Sequence, residues 1–184
     1  MKNLRIIITL LIFANVSISC VKSLDFEQID NFSPNPIYTT TLAYFTLNQQ
    51  NFYNPITSTD ILFPIEDISQ FTVLENSYIR KNLLKVELDF ALENQFDRQF
   101  ELKLDFLDVN NNITHTFTPF VVAPMDANFT RKETIQIANN RQFLSTKKIR
   151  ISIQMSPSSN GSNLDPNQER KLRFKSAGTF FLKT

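Results

Sequence analysis

The amino-acid sequence predicts an all-β protein, and three observations lead to that prediction. The chain has 18 Phe but only 2 Gly and no Trp among its 184 residues. This Phe-, Thr- and Asn-rich composition favours strands joined by polar turns over helices. Apolar and polar residues alternate in several segments, and clusters of turn-forming residues separate these segments. Half-buried β-strands produce such a pattern, because successive side chains point to opposite faces.

The clearest alternation lies in two neighbouring segments, Leu84–Glu93 and Phe100–Leu107. In the first segment the residues expected to face inward are Leu84, Val86, Leu88, Phe90 and Leu92. A short connection, Asn94–Gln99, joins the two segments, which predicts an antiparallel hairpin with one wet face. The alternation resumes over Ile113–Val122, so we expect three sequential strands to form a meander.

Further strands are predicted on either side of this meander. They are Ile37–Leu47, Ile61–Ile65, Ile68–Leu74, Lys132–Ile137, Lys148–Met155, and a closing strand through Leu172–Phe174 and Thr179–Leu182. Two segments, Asn76–Asn82 and Ala138–Thr146, are ambiguous between a loop and a short helix. Seven to nine strands with regular turn signals predict an antiparallel β-sandwich of the immunoglobulin-like type, with a closed barrel as the alternative.

The first 20 residues, MKNLRIIITLLIFANVSISC, have the three-part layout of a secretory signal peptide. Lys2 and Arg5 form a positive start, Ile6–Phe13 is mostly apolar, and small residues precede Cys20. The apolar run is shorter than the roughly 20 residues that a transmembrane helix needs. We therefore expect residues 1–19 to be removed as a signal peptide.

The segment Ser17-Ile18-Ser19-Cys20 resembles a bacterial lipobox, in which the cysteine becomes the new N-terminus and carries the lipid. The first lipobox position is usually Leu or Val, and this chain has Ser17 there. Cys20 is the only cysteine of the chain, so no intrachain disulfide can form. The alternative is an incidental thiol that follows a plain secretory leader.

The whole chain also resembles the uncharacterised small outer-membrane lipoproteins of Bacteroidota-type bacteria. The resemblance lies in its Asn-, Phe- and Ile-rich strands and in its closing sequence LRFKSAGTFFLKT. It agrees with the lipid anchor expected on Cys20. The residues after Cys20 show little periodicity and the remaining length suits one domain, so we expect a tether over residues 20–36 and a single sandwich domain over residues 37–184. In these lipoproteins, surface export resembles a rule in which acidic residues closely follow the cysteine. Here Asp25 and Glu27 come late, so the periplasmic face of the outer membrane is favoured over the cell surface, which is the alternative.

Charge gives no indication of a nucleic-acid partner. Without the leader, the chain has 17 Lys and Arg against 18 Asp and Glu, which is a net charge of −1. A nearly neutral chain has no long-range attraction to nucleic acid.

The sequence offers no set of residues for catalysis, a cofactor or a metal centre. His115 is the only histidine, and no G-x-S-x-G elbow supplies a nucleophile for it. One His and one Cys are too few for a zinc site, and two glycines give no phosphate-binding loop. Glu66-Asp67 and the pair of Asp105 and Asp108 are expected to be acidic residues of a wet face and not glycosidase carboxylates.

The segment Asp108–Asn112 has the D-x-N-x-N spacing that begins calcium loops. The calcium pattern then requires Gly and Glu where this chain has Ile113 and Pro119. A hairpin turn is therefore the favoured interpretation, and calcium binding stays open.

Six aromatic residues offer a candidate platform for a glycan or a protein partner: Tyr38, Tyr44, Tyr53 and Tyr78, with Phe45 and Phe52. Aromatic residues at strand spacing also build cores, and no Trp is present to strengthen a sugar site. The sequence therefore favours a non-enzymatic, membrane-anchored envelope lipoprotein that is an accessory or binding subunit of an envelope complex. A surface glycan-binding module is the alternative.

Overall fold

The structure is a computed structural model that describes residues 36–165 and 167–183. The predicted signal peptide, Cys20, and the predicted tether as far as residue 35 lie outside the described residues.

Strands dominate the described part of the chain. They are β1 (Ile37–Asn48), β2 (Tyr53–Asn54), β3 (Thr59–Asp60), β4 (Ile65–Gln70), β5 (Leu83–Asn94), β6 (Phe100–Leu107), β7 (Ile113–Thr116), β8 (Phe120–Val122), β9 (Phe129–Gln136), β10 (Lys148–Met155) and β11 (Lys171–Leu182). One α-helix, α1 (Ser77–Asn82), begins after Asn76, whose side chain accepts hydrogen bonds from the backbone N–H groups of Tyr78 and Ile79. Short 3₁₀ helices cover Gln49–Asn51, Val73–Glu75 and Arg141–Ser145.

The strands form two antiparallel sheets that pack face to face, so the predicted β-sandwich is confirmed. The first sheet has the order β1-β11-β5-β9, and the second has the order β4-β10-β6-β7, with β8 also paired to β6. β7 and β8 pair with opposite ends of β6, so they occupy one strand position that is interrupted before Phe120. The sandwich therefore has eight strand positions, and β2 and β3 form a separate small ribbon.

The order of the strands is that of a jelly roll, whereas the sequence analysis expected an immunoglobulin-like sandwich. β1 pairs with β11, β4 with β10, β5 with β9, and β6 with β7 and β8. These pairs are nested, as if one long hairpin had been folded and rolled into two sheets. The alternating strand patterns are the same for both sandwich types, so they could not distinguish a jelly-roll strand order from an immunoglobulin-like one.

The predicted hairpin of β5 and β6 is wrong, and with it the first part of the meander, because the two strands lie in different sheets. The connection between them crosses from one sheet to the other, and its Phe96 side chain is fully buried in the core. The buried amide of Asn94 donates to the carbonyl oxygens of Arg98 and Ala123, both at 2.7 Å, and accepts from the Phe96 N–H at 2.9 Å. These bonds hold the corner at which the chain changes sheets.

Phenylalanine fills the core between the sheets. Its fully buried members are Phe52, Phe96, Phe100, Phe106, Phe120, Phe143, Phe174 and Phe180. Phe106 lies among three other phenylalanine rings, with centroid distances of 5.1 Å to Phe143, 5.7 Å to Phe71 and 6.1 Å to Phe117. All three contacts are edge-to-face, the arrangement that aromatic quadrupoles favour.

The side chains that face the core are the predicted ones in β10, but they differ from the prediction at the start of β5. β10 has the predicted bounds, and its four predicted inward residues are buried: Ile149, Ile151, Ile153 and Met155. In β5, Leu84 was expected inward but is 45% exposed, and Leu83 is buried instead. The register between β5 and β11 shifts by one residue at this end of the strand. Because of this shift, Leu83 and not Leu84 faces the core.

Candidate ligand-binding groove

A β-bulge at Leu42 changes the direction of the side chains along β1. The register of β1 on β11 shifts by one residue at this position. Before the bulge, Tyr38 lies opposite the inward Phe180, with the two ring centroids 6.1 Å apart. After it, Tyr44 lies opposite the exposed Lys175. Residues six apart in a regular strand share a face, so the bulge is what turns Tyr44 to the outer face of the first sheet.

Tyr44 stands at one side of a groove of about 730 Å³ on this outer face. The floor of the groove includes Ala91 on β5 and Ala177 on β11, the two central strands of the sheet. Because these side chains are single methyl groups between longer neighbours, the centre of the sheet is hollow. Thr130 and Lys132 on β9 line the opposite side.

Charged groups of both signs lie around this hollow. The Lys132 Nζ is 2.7 Å from the Asp89 Oδ1 across the β5–β9 pair, and its hydrogen bond to that carboxylate raises the pKa of Lys132. The Lys175 Nζ is 5.9 Å from the centroid of the Tyr44 ring, within the range of a cation–π contact. The groove therefore offers an aromatic face, an acceptor and two ammonium donors.

A second hollow of about 240 Å³ continues the groove along the same face. It shares Ala91, Thr130 and Lys175 with the first hollow. Its other side chains include Glu93 and Arg173, whose Oε2 and Nη1 atoms are 2.5 Å apart. This hydrogen bond from Arg173, together with one from Gln95, lowers the pKa of Glu93. The two hollows form one elongated site that runs along β11, β5 and β9.

The predicted aromatic platform does not assemble as a single surface. Two of its members are exposed at different places, since Tyr44 is 62% exposed in the groove and Tyr78 is exposed on α1. Tyr38 lies on the core-facing side of β1, and Tyr53 is half-buried against the core. Phe45 stacks on Phe174 at a centroid distance of 4.9 Å, and Phe52 is buried. Only Tyr44 of this set lines the groove. The spacing of these residues in the sequence could not show which of them share a face of the sheet. The bulge shifts the alternation of inward and outward residues within β1 by one position.

His115 is a half-buried ring at the edge of the core. Its Nδ1 accepts a hydrogen bond from the Asn140 Nδ2 at 2.9 Å. The Asn140 amide is fixed in this orientation because its Oδ1 accepts from the Phe143 N–H and its Nδ2 also donates to the Thr114 carbonyl. The His115 proton therefore lies on Nε2, and burial lowers the pKa of the ring. The ring packs edge-on against Phe117 at 4.5 Å, which is the environment of a structural side chain.

Asp105 differs from its expected place on a wet face, because neighbouring side chains cover it. It is only 2% exposed. Its carboxylate accepts from Arg150 Nη2 at 2.5 Å and Nε at 3.2 Å, and from the Thr116 hydroxyl at 2.7 Å. The Lys103 Nζ lies 3.4 Å away. Burial by itself raises the pKa of Asp105, but the hydrogen bonds and the two cations outweigh it and hold the pKa below its ordinary value of 3.8.

We expect Asp105→Asn to lower the free energy of unfolding at pH 7 by about 1–3 kcal/mol, since it leaves Arg150 without its carboxylate. A carboxyl group whose pKa is lowered in the folded state stabilises the fold above its unfolded pKa of about 3.9, and this contribution is lost as the pH falls through the folded pKa. The difference between wild type and variant should therefore shrink below about pH 4. Urea unfolding at several pH values measures it, and a difference that stays constant with pH would contradict this assignment.

The other predicted acidic sites are a turn and an exposed edge. The Asp108 Oδ1 accepts from the backbone N–H groups of Asn110 and Asn112 at 2.8 and 2.9 Å, and the Oδ2 accepts from the Asn112 side chain at 3.0 Å. These bonds lower the pKa of Asp108 and make the segment the predicted turn between β6 and β7. Glu66 and Asp67 are exposed on β4. Across residues 36–165 and 167–183, no cluster of three or more His, Cys, Asp or Glu could hold a metal ion.

The sequence analysis missed a buried arginine that fastens the long polar loop to the sandwich. Arg98 is 3% exposed, and its Nη2 donates to the Ser162 carbonyl at 2.6 Å. The Asp60 carboxylate lies 3.8 Å from the Arg98 Nε and accepts from the Leu164 N–H at 2.7 Å. Both charged residues lie in or beside the connections between strands. No alternation of apolar and polar residues exists there to indicate which side chains are buried. The arrangement is structural and lies outside the groove.

The fold and the groove define the chain as a jelly-roll β-sandwich with an elongated hollow on the outer face of its first sheet. No family model and no curated protein sequence matches the chain. Within the described ranges, no helix has the length and hydrophobicity that a membrane crossing requires.

Several solved structures are similar to this chain at low sequence identity. A protein from Parabacteroides distasonis, described as secreted, aligns with a TM-score of 0.48 and 13% identity over 65% of this chain and 38% of that chain. A structure of the Gx strain of infectious bursal disease virus aligns with a TM-score of 0.44 and 10% identity over 80% of this chain and 33% of that chain. Bacillus endospore appendages align with a TM-score of 0.35 and 7% identity over 82% of this chain and 93% of that chain. This chain spans less than two-fifths of the first two proteins, and all three scores are below 0.5, so the jelly-roll assignment depends on strand order.

Proposed function

We propose that the protein is a non-enzymatic, lipid-anchored envelope protein that binds a partner protein through the edge strand β1. The observation that carries this proposal is the composition of that edge. β1 has 12 residues, IYTTTLAYFTLN, and none of them is charged or proline. It is the terminal strand of the first sheet among the described residues.

The opposite edge of the same sheet is built differently. β9 contains Arg131, Lys132 and Glu133, the kind of charged residues with which proteins prevent edge-to-edge pairing. β1 instead exposes Ile37 by 61% and Tyr38 by 46%. A long, uncharged edge with exposed apolar side chains is suited to accept a strand of another protein, because its outer backbone groups can extend the ladder.

The proposed anchor is close to this edge in sequence. Cys20 precedes the first residue of β1 by 17 positions, which spans at most about 60 Å when fully extended. A lipid on Cys20 would thus keep β1 within a short distance of the membrane surface. This closeness to a membrane supports an accessory or binding subunit of an envelope complex. The resemblance to outer-membrane lipoproteins makes the periplasmic face of the outer membrane the proposed location.

Thr39→Lys tests the proposal, because it places a charge on the exposed face of β1 and removes only an exposed hydrogen bond between the hydroxyls of Thr39 and Thr179. In pulldowns from detergent-solubilised membranes, we expect the variant to retain about tenfold less of the partner than wild type. The matched control is Thr134→Lys, the same change at an exposed position of β9, and it should retain the partner fully.

Two outcomes would overturn partner binding through β1. The first is that the wild-type protein returns no stable partner. The second is that Thr39→Lys and Thr134→Lys retain the same amount of it.

Glycan binding is the second candidate function, and the groove beside Tyr44 is the observation that favours it.

A further inference from the structure

We infer that the groove beside Tyr44 is a binding site for an uncharged oligosaccharide chain. The site lies on the outer face of the first sheet, whereas the proposed protein partner would add to the edge of β1. The two proposals therefore stand on different observations and can fail separately.

The shape of the groove fits an extended ligand. Its two hollows, of about 730 and 240 Å³, are joined through Ala91, Thr130 and Lys175. The larger one has the size of typical small-molecule sites. Because the hollows follow one another along β11, β5 and β9, a linear chain can lie over both, while a compact ligand would fill only one.

The charges along the groove favour a neutral, hydroxyl-rich ligand over other classes. The ion pairs Asp89–Lys132 and Glu93–Arg173 each present an acceptor beside a donor. Hydroxyl groups both donate and accept, so each sugar unit can bond to both members of a pair. The two ion pairs cancel in charge, and Lys175 leaves the groove with one further cation, which is too few for the several negative charges of a polyanion that would lie beside the two carboxylates. An apolar peptide would desolvate five charged groups without replacing their hydrogen bonds.

Tyr44 supplies the apolar part of the site. Its ring is 62% exposed beside the alanine floor, and Lys175 lies near the ring. The weakly positive C–H groups on one face of a sugar ring pack against the negative face of an aromatic ring. The combination of one exposed ring, a methyl-lined floor and paired charges therefore matches a sugar, which has an apolar face and a polar rim.

Calorimetric titration of the full-length mature protein in detergent tests the inference. The neutral probes are cellohexaose, maltohexaose, mannohexaose and xylohexaose, and hexagalacturonate is the acidic probe. We expect at least one neutral hexasaccharide to bind and hexagalacturonate to bind at least about tenfold more weakly.

Two substitutions then locate the binding. Tyr44→Ala removes the ring and should raise the Kd of the bound hexasaccharide about tenfold. Ala91→Leu removes no polar group but fills the floor at an exposed position, and it should raise the Kd at least as much. Tyr78→Ala, which removes a tyrosine of similar exposure from α1, is the matched control and should leave the Kd unchanged.

The inference is overturned if no neutral hexasaccharide binds or if only hexagalacturonate binds. It is also overturned if Tyr44→Ala and Ala91→Leu leave the Kd of wild type, or if Tyr78→Ala weakens binding as much as they do. Circular dichroism of each variant shows that it is folded, so that a loss of binding is assigned to the groove.

Discussion

Cys20→Ser is expected to move the protein from the membrane fraction to the soluble fraction of the cell. The thiol of Cys20 is the only one in the chain, so no other residue can form the thioether of a lipid anchor. Each buried CH₂ of a lipid contributes about 0.8 kcal/mol, and the several chains of a bacterial lipoprotein make dissociation from the bilayer negligible.

Fractionation followed by an alkaline wash measures the change, and incorporation of labelled palmitate reports lipidation directly. Ser23→Ala is the matched control, since it changes a hydroxyl three residues beyond the cysteine and should leave the protein on the membrane. Wild-type protein that incorporates no labelled palmitate, or that keeps residues 1–19 when its N-terminus is sequenced, would contradict the lipid anchor and the cleaved leader respectively.

Phe106→Ala is expected to lower the free energy of unfolding by about 3–5 kcal/mol. The Phe106 side chain is fully buried and makes edge-to-face contacts with Phe71, Phe117 and Phe143. These rings belong to different elements, so they cannot all move into the cavity that the substitution leaves. For a domain of this size, the loss corresponds to a fall in Tm of about 10 °C.

Thermal and urea unfolding followed by circular dichroism measure this loss of stability. Phe63→Ala is the control, because Phe63 is 68% exposed and its removal should change the free energy of unfolding by less than about 0.5 kcal/mol. Equal effects of the two substitutions would show that the ring cluster around Phe106 does not stabilise the core as described.

The strands could be predicted from the sequence because alternation is a local property. β10 has its predicted bounds and faces, since one side of it packs on the core and the other carries Lys148 and Arg150. The pairing of strands could not be predicted in the same way. The sequence of β5 and β6 has the pattern of a hairpin, although the two strands lie in different sheets. The features that mark this crossing between the sheets are the buried side chains of Asn94 and Phe96. Asn94 continues the inward row of β5, so an amide at an inward position was the one available signal.

The candidate site was less predictable than the fold. Tyr44 was in the predicted aromatic set, but its floor of Ala91 and Ala177 comes from two strands whose adjacency depends on the jelly-roll order. Alanine has no chemical signature of its own, and its role here is only to be smaller than its neighbours. The covered carboxylate of Asp105 depends in the same way on Arg150 and Thr116 from adjacent strands.

The bulge at Leu42 means that the groove depends on how β1 pairs with β11 and not only on the residues of β1. If the strand kept all its residues but paired without the bulge, every residue from Ala43 onward would move by one partner on β11 and exchange its face. Phe45 would then turn to the solvent and Tyr44 to the core, with no change in the sequence. Removal of Leu42 would instead leave Tyr44 opposite Lys175, so a related chain with a one-residue gap at this position can still have the groove.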